Sequence, residues 1–333
     1  MAAPPMNSRV CLITGANGFL GSEILRQAVA ESFPVRATDI STEALIPDTY
    51  YLPADILDLS KLNSVFRGMN SVIHAAGLAH IFDKAKAANA PFKSVNEIGT
   101  ANTVQTAAAV GVKHFILISS VSVYGPFTHG VYDENVPCHP QGPYAESKYQ
   151  AEQRAIEIAK ASGMALTILR LATLYGEGDP GNVARLMRSI DRGRFIWIGN
   201  GSNRKSLLHR EDAARACLAV MKSPAAGVNI YNVSAPPCTM REVVDRLADA
   251  LGKPISPFAI PALWVRVISG LLSVLPLSRW QTLAATAQKW LADDVYHGSK
   301  FAQAFNFQTQ VNLTEGLRRE VAWYRAEQAK SGT

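Results

Sequence analysis

The stretch "TGANGFLG", residues 14–21, sets Gly15, Gly18 and Gly21 between a short apolar run, "RVCLI" (9–13), and a run with helical periodicity, "FLGSEILRQAVAE" (19–31). A strand that enters a tight glycine turn and leaves as a helix gathers the free N–H groups of a helix start at one point. That is the geometry that receives a pyrophosphate. The first glycine permits the turn, the second lets the backbone approach the phosphates, and the third allows helix and strand to pack closely. Asn17, Phe19 and Leu20 complete the loop and are expected beside the same ligand.

Working outward, "PVRATDI" (34–40) reads as a second strand with Asp39 at its end, 18 residues after Gly21. A carboxylate there accepts hydrogen bonds from a ribose 2′-OH and repels a 2′-phosphate, which favours NAD over NADP. An ordinary turn aspartate is the other reading. In "PADILDL", Asp55 and Ile56 are placed to flank an adenine, although Asp55 would equally cap the helix that follows. "SVIHAAG" (71–77) is a third strand, and Ala75, Ala76 and Gly77 supply small residues where a cofactor passes close to the backbone. "HFILISS" (114–120) and "ALTILRL" (165–171) are further strands, with helical runs near 96–110 and from Tyr144 onward. This alternation predicts an α/β fold, a Rossmann-type doubly wound parallel sheet that binds ligands at the carboxyl ends of its strands. After about residue 176 the pattern is less regular. The expected division is a NAD-binding domain over 1–175 and a smaller mixed C-terminal substrate lobe over 176–333, some of whose segments return to the main sheet. Within it, "TMREVVDRLADALGKP" (239–254) is an amphipathic helix with Thr239 as cap, Glu242 completing a capping box and Gly252 as stop.

Of the 333 residues, 48% are hydrophobic and 18% charged, enough apolar surface for a large core. The net charge of +6 is dispersed, with no run of five basic residues, so no nucleic-acid partner is expected. It suits an anionic small substrate or a weak attraction to an acidic membrane surface. Cys11, Cys138, Cys217 and Cys238 show no zinc spacing, so no metal is expected and a reducing, cytoplasmic compartment fits. "MAAPPMNSR" contains no apolar core of signal-peptide length. One segment stands apart: "FAIPALWVRVISGLLSVLPL" (258–277) carries a single charge, Arg266. Pro261 and Pro276 shorten any helix within it, so a packed helix is the working expectation. An interfacial membrane contact and a membrane span are the alternatives.

"GPYAESKYQAE" (142–152) places Tyr144 one helical turn before Lys148, so both side chains project from one face. Just upstream, "ISSVSVYG" brings Ser119 and Ser120 to the same sheet edge. Together, TGxxGxxG at 14–21, Asp39, HAAG at 74–77, SSVSVYG at 119–125 and YAESK at 144–148 resemble the extended short-chain dehydrogenase/reductase family over nearly the whole chain. The resemblance implies NAD as cofactor and Tyr144 as acid/base, its phenol pKa lowered by the Lys148 ammonium and the nicotinamide. It implies that Lys148 holds the nicotinamide ribose and that Ser120 hydrogen-bonds the reacting oxygen, with Ser119 and Ser122 as substitutes. Asn96 in "SVNEIGT" matches a family asparagine near the cofactor and active site. Sugar dehydratases of the family carry Thr-Asp-Glu where this chain has Ser120, Val121 and Ser122, so elimination of water is not expected.

The second half resembles the nucleotide-sugar branch. "ILRLATLYGEGD" follows its pattern with Leu171 in place of a proline and Thr173 where hexose epimerases often have asparagine. In "GNGSNRKSLLHREDAARA", Lys205 stands at the usual arginine position with Arg204 beside it, implying contact with a nucleotide diphosphate. A solvated basic turn is the bland alternative. Ser122 and Thr173 are expected at the sugar, whereas His209 and Asp212 are expected to organise the lobe. "AHIFDKAK", "SNRKSLL", "ALGKP" and "TEGLRREVAWYR" are similar to bacterial polysaccharide-biosynthesis enzymes. The implied activity is an NAD-dependent UDP-sugar 4-epimerase working through a transient 4-keto sugar, in a homodimer. An NADH-dependent 4-keto reductase and a steroid- or flavonol-type dehydrogenase are alternatives. A non-catalytic NAD-sensing protein is a fourth, which the retained Tyr144 and Lys148 disfavour.

Overall fold

The computed structural model describes residues 10–79, 91–126, 130–256, 258–261 and 292–331. Six strands, β1 (Cys11–Thr14), β2 (Val35–Thr38), β3 (Ser71–His74), β4 (His114–Ser120), β5 (Ala165–Leu171) and β6 (Val228–Val233), pair in parallel in the order β6-β5-β4-β3-β1-β2. Every residue of β1, β2 and β3 is buried, so these strands read as continuous rather than alternating apolar runs. Two hydrophobic cores explain this. One lies under α1 (Phe19–Ala30), and the other under α2 (Leu59–Phe66), α3 (Gly99–Ala109) and α4 (Pro143–Ser162).

Part of the C-terminal half joins this sheet. β6 is its edge strand, and after α5 (Asn182–Asp191), α6 (Arg210–Lys222) packs beside α1 on the first core. A third core joins α5, α7 (Met240–Leu251) and, beyond the short α8 (Ser299–Phe305), α9 (Leu313–Ser331). The capping box of α7 is present: Thr239 Oγ1 accepts the Glu242 N–H at 3.1 Å, and the Glu242 carboxylate accepts the Thr239 N–H at 2.7 Å. Of the apolar stretch 258–277, residues 258 and 261 and the strand Ala259–Ile260, paired with Trp197–Ile198, are described. The remainder lies outside the described residues, as does "AHIFDKAK" beyond Ala79. Among the described residues no helix is long and apolar enough to cross a membrane.

The strand order reverses between β1 and β3, opening a crevice at their carboxyl ends. Two close backbone approaches set its floor. Gly15 has φ +67°, and a Cβ on it would lie 2.5 Å from the Ala76 nitrogen; a Cβ on Gly21 would lie 1.9 Å from the Gly15 carbonyl oxygen. Gly21→Ala therefore forces helix and loop apart. It is expected to lower stability by about 1–3 kcal/mol in urea denaturation, and a variant as stable as the wild type would contradict this packing.

Candidate active site

The helix α4 starts after Gly142, at φ +85°, with Pro143 in its first turn, where a missing N–H costs nothing. Tyr144, Lys148 and Glu152 follow at four-residue spacing and stack along one face. Lys148 and Glu152 are buried, while Tyr144 stays partly exposed. The Lys148 ammonium donates to the Ile118 carbonyl of β4 at 2.5 Å. Burial lowers its pKa to about 8, with the Glu152 carboxylate opposing the fall.

Ser120, the last residue of β4, caps a 3₁₀ turn over Val121–Tyr124. Its Oγ accepts the Ser122 N–H at 3.1 Å, which leaves the hydroxyl proton free to turn toward the neighbouring Tyr144 phenol. Burial raises the Tyr144 pKa, and the nearby Ser120 hydroxyl opposes that rise. The lowered phenol pKa expected from the sequence is thus not a property of the protein alone. The ammonium one turn away is directed to Ile118, and desolvation dominates. Ser119 turns the other way, donating to Glu152 at 2.5 Å, and the Ser122 hydroxyl is buried without a hydrogen bond. Of the three serines, Ser120 is the one that acts on the Tyr144 phenol.

Asn96 lies on a π-helical segment, Lys93–Ile98, a geometry common at functional sites. Its Oδ1 accepts the Leu78 N–H at 2.7 Å, and its Nδ2 donates to the Leu78 carbonyl and to Ser147 Oγ, each at 3.0 Å. Ser147 Oγ donates in turn to the Tyr144 carbonyl at 2.8 Å. Asn96 thereby ties the Ala75–Gly77 strand end to the start of α4. His74 was not foreseen as part of the site. It bridges Thr14 (2.7 Å) and Thr100 (3.1 Å), and burial, aided by the Lys148 charge, lowers its pKa to about 3. It is a neutral strut.

On the nucleotide side, Gly18 begins α1 in extended conformation with no side-chain cap. Asp39 Oδ2 accepts the Asn17 N–H at 3.0 Å, and the Asn17 amide holds Glu43 and Leu45 at 2.8 Å. Ala75 and Ala76 donate their N–H groups to Thr14, and Leu20 is buried. Phe19 lies under the Arg210 guanidinium, 4.8 Å from the ring centre. The cap of α2 is Asp58; Asp55 instead turns its own loop by accepting the Leu57 N–H at 2.9 Å. Ile56 is buried against Gly99, where a Cβ would meet it at 2.5 Å.

On the substrate side, Thr173 opens a strand, Thr173–Tyr175, paired with Leu207–His209. Lys205 is buried, donating to the Ala292 carbonyl at 2.9 Å and lying 3.6 Å from Asp294. Arg204 is exposed, with its guanidinium 3.8 Å from Asp293. His209 Nδ1 caps α6, and Asp212 accepts the N–H groups of Gln310 and Val311, so both act as framework. Glu152, Arg170 and Ser147 also escaped the sequence reading, although Glu152 stands one further turn along the Tyr144–Lys148 face.

The model of the NAD dependent epimerase/dehydratase family matches residues 11–234. An N-acetyl-α-D-glucosaminyl-diphospho-ditrans,octacis-undecaprenol 4-epimerase of Escherichia coli O157:H7 is 30% identical over 325 residues, covering 96% of each chain. A UDP-glucose 4-epimerase of Vibrio cholerae is 29% identical over 267 residues, 78% of this chain and 81% of that one. The structure of a UDP-glucose 4-epimerase with UDP-glucose from Thermotoga maritima superposes with a TM-score of 0.76. Its identity is 21%, over 96% of this chain and 99% of that one, and so it speaks for the shared Rossmann-like fold.

Removing the Asn96 side chain unpairs both Leu78 backbone groups. Asn96→Ala is expected to lower stability by about 1–3 kcal/mol in chemical denaturation, and an unchanged midpoint would contradict the clamp.

Proposed function

The chain belongs to the NAD-dependent epimerase/dehydratase family, and from that premise we propose that it inverts C4 of a diphosphate-linked hexose, with a UDP-sugar as substrate class. The observation that carries this reading is the meeting of Ser120, at the end of β4, with the α4 face that bears Tyr144 and, one turn on, the buried Lys148 at the carboxyl edge of the sheet. The residues at the crevice fit NAD. The Gly15–Gly21 crossing leaves no room for a Cβ, and the uncapped start of α1 offers backbone N–H groups to a pyrophosphate. Asp39 stands at the end of β2 for a ribose diol, and Ala75, Ala76 and Gly77 keep the strand end low. Ile56 and Asp55 flank the adenine in this reading, and Asn96 holds the nicotinamide side of the pocket in shape. When bound, NAD supplies the acceptor and then the donor of the C4 hydride.

The chain's own groups handle the proton. Tyr144 removes the 4-OH proton as the C4 hydrogen departs, and Ser120 donates to the same sugar oxygen. Lys148, mostly protonated at neutral pH, holds the ribose and supplies the positive charge that favours phenolate. The resulting 4-keto sugar turns, and Tyr144 returns the proton after reduction on the opposite face. Thr173 and Ser122 face the sugar, and Arg204 with Lys205 serves the diphosphate. Of those two cations Arg204 is the exposed one, whereas Lys205 is held by Asp294 and Ala292. We assign the reaction to the cytoplasm and the active form to a homodimer.

A second reading keeps the chemistry and changes the handle: the sugar is carried on a polyprenyl diphosphate. The full-length similarity to the undecaprenol-linked epimerase favours it. So does the stretch 258–277 with its single charge, whose first residue, Phe258, is exposed. Such a stretch is suited to a membrane surface.

Product analysis after incubation with UDP-glucose, UDP-N-acetylglucosamine and N-acetylglucosaminyl-diphospho-polyprenol separates the readings. Galacto products without net cofactor consumption are expected from one handle. Conversion of none, with reduction of a 4-keto UDP-sugar by NADH, would replace the epimerase with the reductase. Tyr144→Phe is expected to lose about 10²–10⁴-fold in turnover while still binding NADH by fluorescence. Retained turnover would refute its role.

A further inference from the structure

Behind the reacting groups lies a buried ion pair to which the proposed chemistry gives no task. Glu152 is fully buried, one turn beyond Lys148 and two beyond Tyr144 on α4. Its Oε2 accepts from the Arg170 NH2 nitrogen at 2.7 Å, and its Oε1 accepts from Arg170 Nε at 3.1 Å and from Ser119 Oγ at 2.5 Å. Arg170 lies on β5 directly across the ladder from Ser119 on β4. Its guanidinium also stands over the Tyr124 ring, 4.9 Å from the centre, and the Tyr124 hydroxyl donates to Asn232 at 2.8 Å. One carboxylate thus joins α4, β5 and the end of β4. That strand end carries the Ile118 carbonyl that takes the Lys148 ammonium, and it carries Ser120.

We propose that Glu152 is a positioning residue of the active site: by gripping Ser119 and Arg170 it fixes Ser120 and the Ile118 carbonyl against the helix of Tyr144 and Lys148, and it stands one helical turn from Lys148 as the carboxylate beside that ammonium. The inference rests on the proposed function only in setting Lys148 against the cofactor ribose. A buried ion pair is weak evidence for stability as such, because an apolar pair of similar volume often does as well, so its retention here calls for another reason. Holding the charge of a neighbouring lysine is one that a hydrophobic pair could not fulfil.

The groups facing this cluster are Lys148 and Tyr144 from α4, Arg170 from β5, Tyr124 from the 3₁₀ turn, Glu134 and Cys138 from the loop before α4, and His74 from β3. Burial raises Tyr124 and Cys138 and lowers His74, so all three are neutral near pH 7. Of the two carboxylates, Glu134 accepts the Asn232 N–H beside Tyr124, and Glu152 is the one that acts on Lys148. Burial has already brought Lys148 down to about 8 against the Glu152 charge. Without that charge, desolvation alone acts and the ammonium loses its proton at lower pH.

The test is the pH dependence of NADH affinity, read by fluorescence titration on wild type, Glu152→Gln and the double variant Glu152→Gln/Arg170→Met. Glu152→Gln strands the Arg170 charge and endangers the fold, whereas the double variant removes both charges at similar volume. Wild-type affinity is expected to fall as pH rises through about 8. In the folded double variant the fall is expected at least about one pH unit lower, a tenfold change in the protonation ratio. Coincident midpoints in wild type and double variant, or a wild-type affinity independent of pH, would overturn the proposal. A wild type that shows the pH-dependent binding and the shift, yet converts none of the sugar diphosphates, would sink the epimerase reading and leave the role of Glu152 standing.

Discussion

The crossing of two backbones, Gly21 of α1 over the carbonyl of Gly15 and Gly15 over Ala76, is the constraint on which the rest of the site depends. It brings the start of α1 down onto the end of β1 and holds β3 beside it. The reversal of strand order then opens in front of a helix N-terminus rather than behind a loop. Every later position is measured from that floor. Asp39 is tied to it through the Asn17 N–H, the Ala75–Gly77 strand end through Thr14, and the Tyr144 helix through Asn96 and Ser147. The crevice is a rigid fork in the sheet that side chains from four strands furnish.

Polarity is distributed unevenly in this arrangement, and the unevenness has a chemical sense. The groups that hold positions, His74, Asn96, Ser119, Glu152 and Arg170, are buried with their hydrogen bonds made inside the protein. Tyr144 and Ser120 keep partial exposure. A buried polar group with its partners in place is hard to move, so such a framework fixes geometry, while two partly exposed hydroxyls keep the freedom to turn toward a ligand oxygen. The neutral state of Tyr144 in the protein alone follows from the same design. The pocket that excludes water from the reaction also disfavours phenolate until a positive charge and a sugar hydroxyl are present.

The fold was legible because its evidence is local. Strand ends at Thr14, His74, Ser120 and Leu171, the glycine loop and the Thr239–Glu242 capping box are short-range patterns, and they appear in the structure with shifts of a few residues. The pairing of Tyr144 with Lys148 was legible for the same reason, since one helical turn links them. Contacts between distant segments were not. Arg170 sits in an apolar strand that reads as core, and only the register of β5 on β4 shows that it meets Ser119 and Glu152. The Asp55 cap failed by three residues because Asp58, a second aspartate in the same turn, takes that place. The ion pair of Lys205 was hidden because Asp294, its neighbour in space, is remote in sequence.

The central claim is that a hydride leaves and returns at C4 while Tyr144 handles only the hydroxyl proton. It is tested most directly with a C4-deuterated sugar diphosphate turned over in ordinary water. The account predicts an inverted product that still carries deuterium at C4. Loss of that deuterium to solvent would mean that the carbon itself exchanges a proton, and would contradict the account.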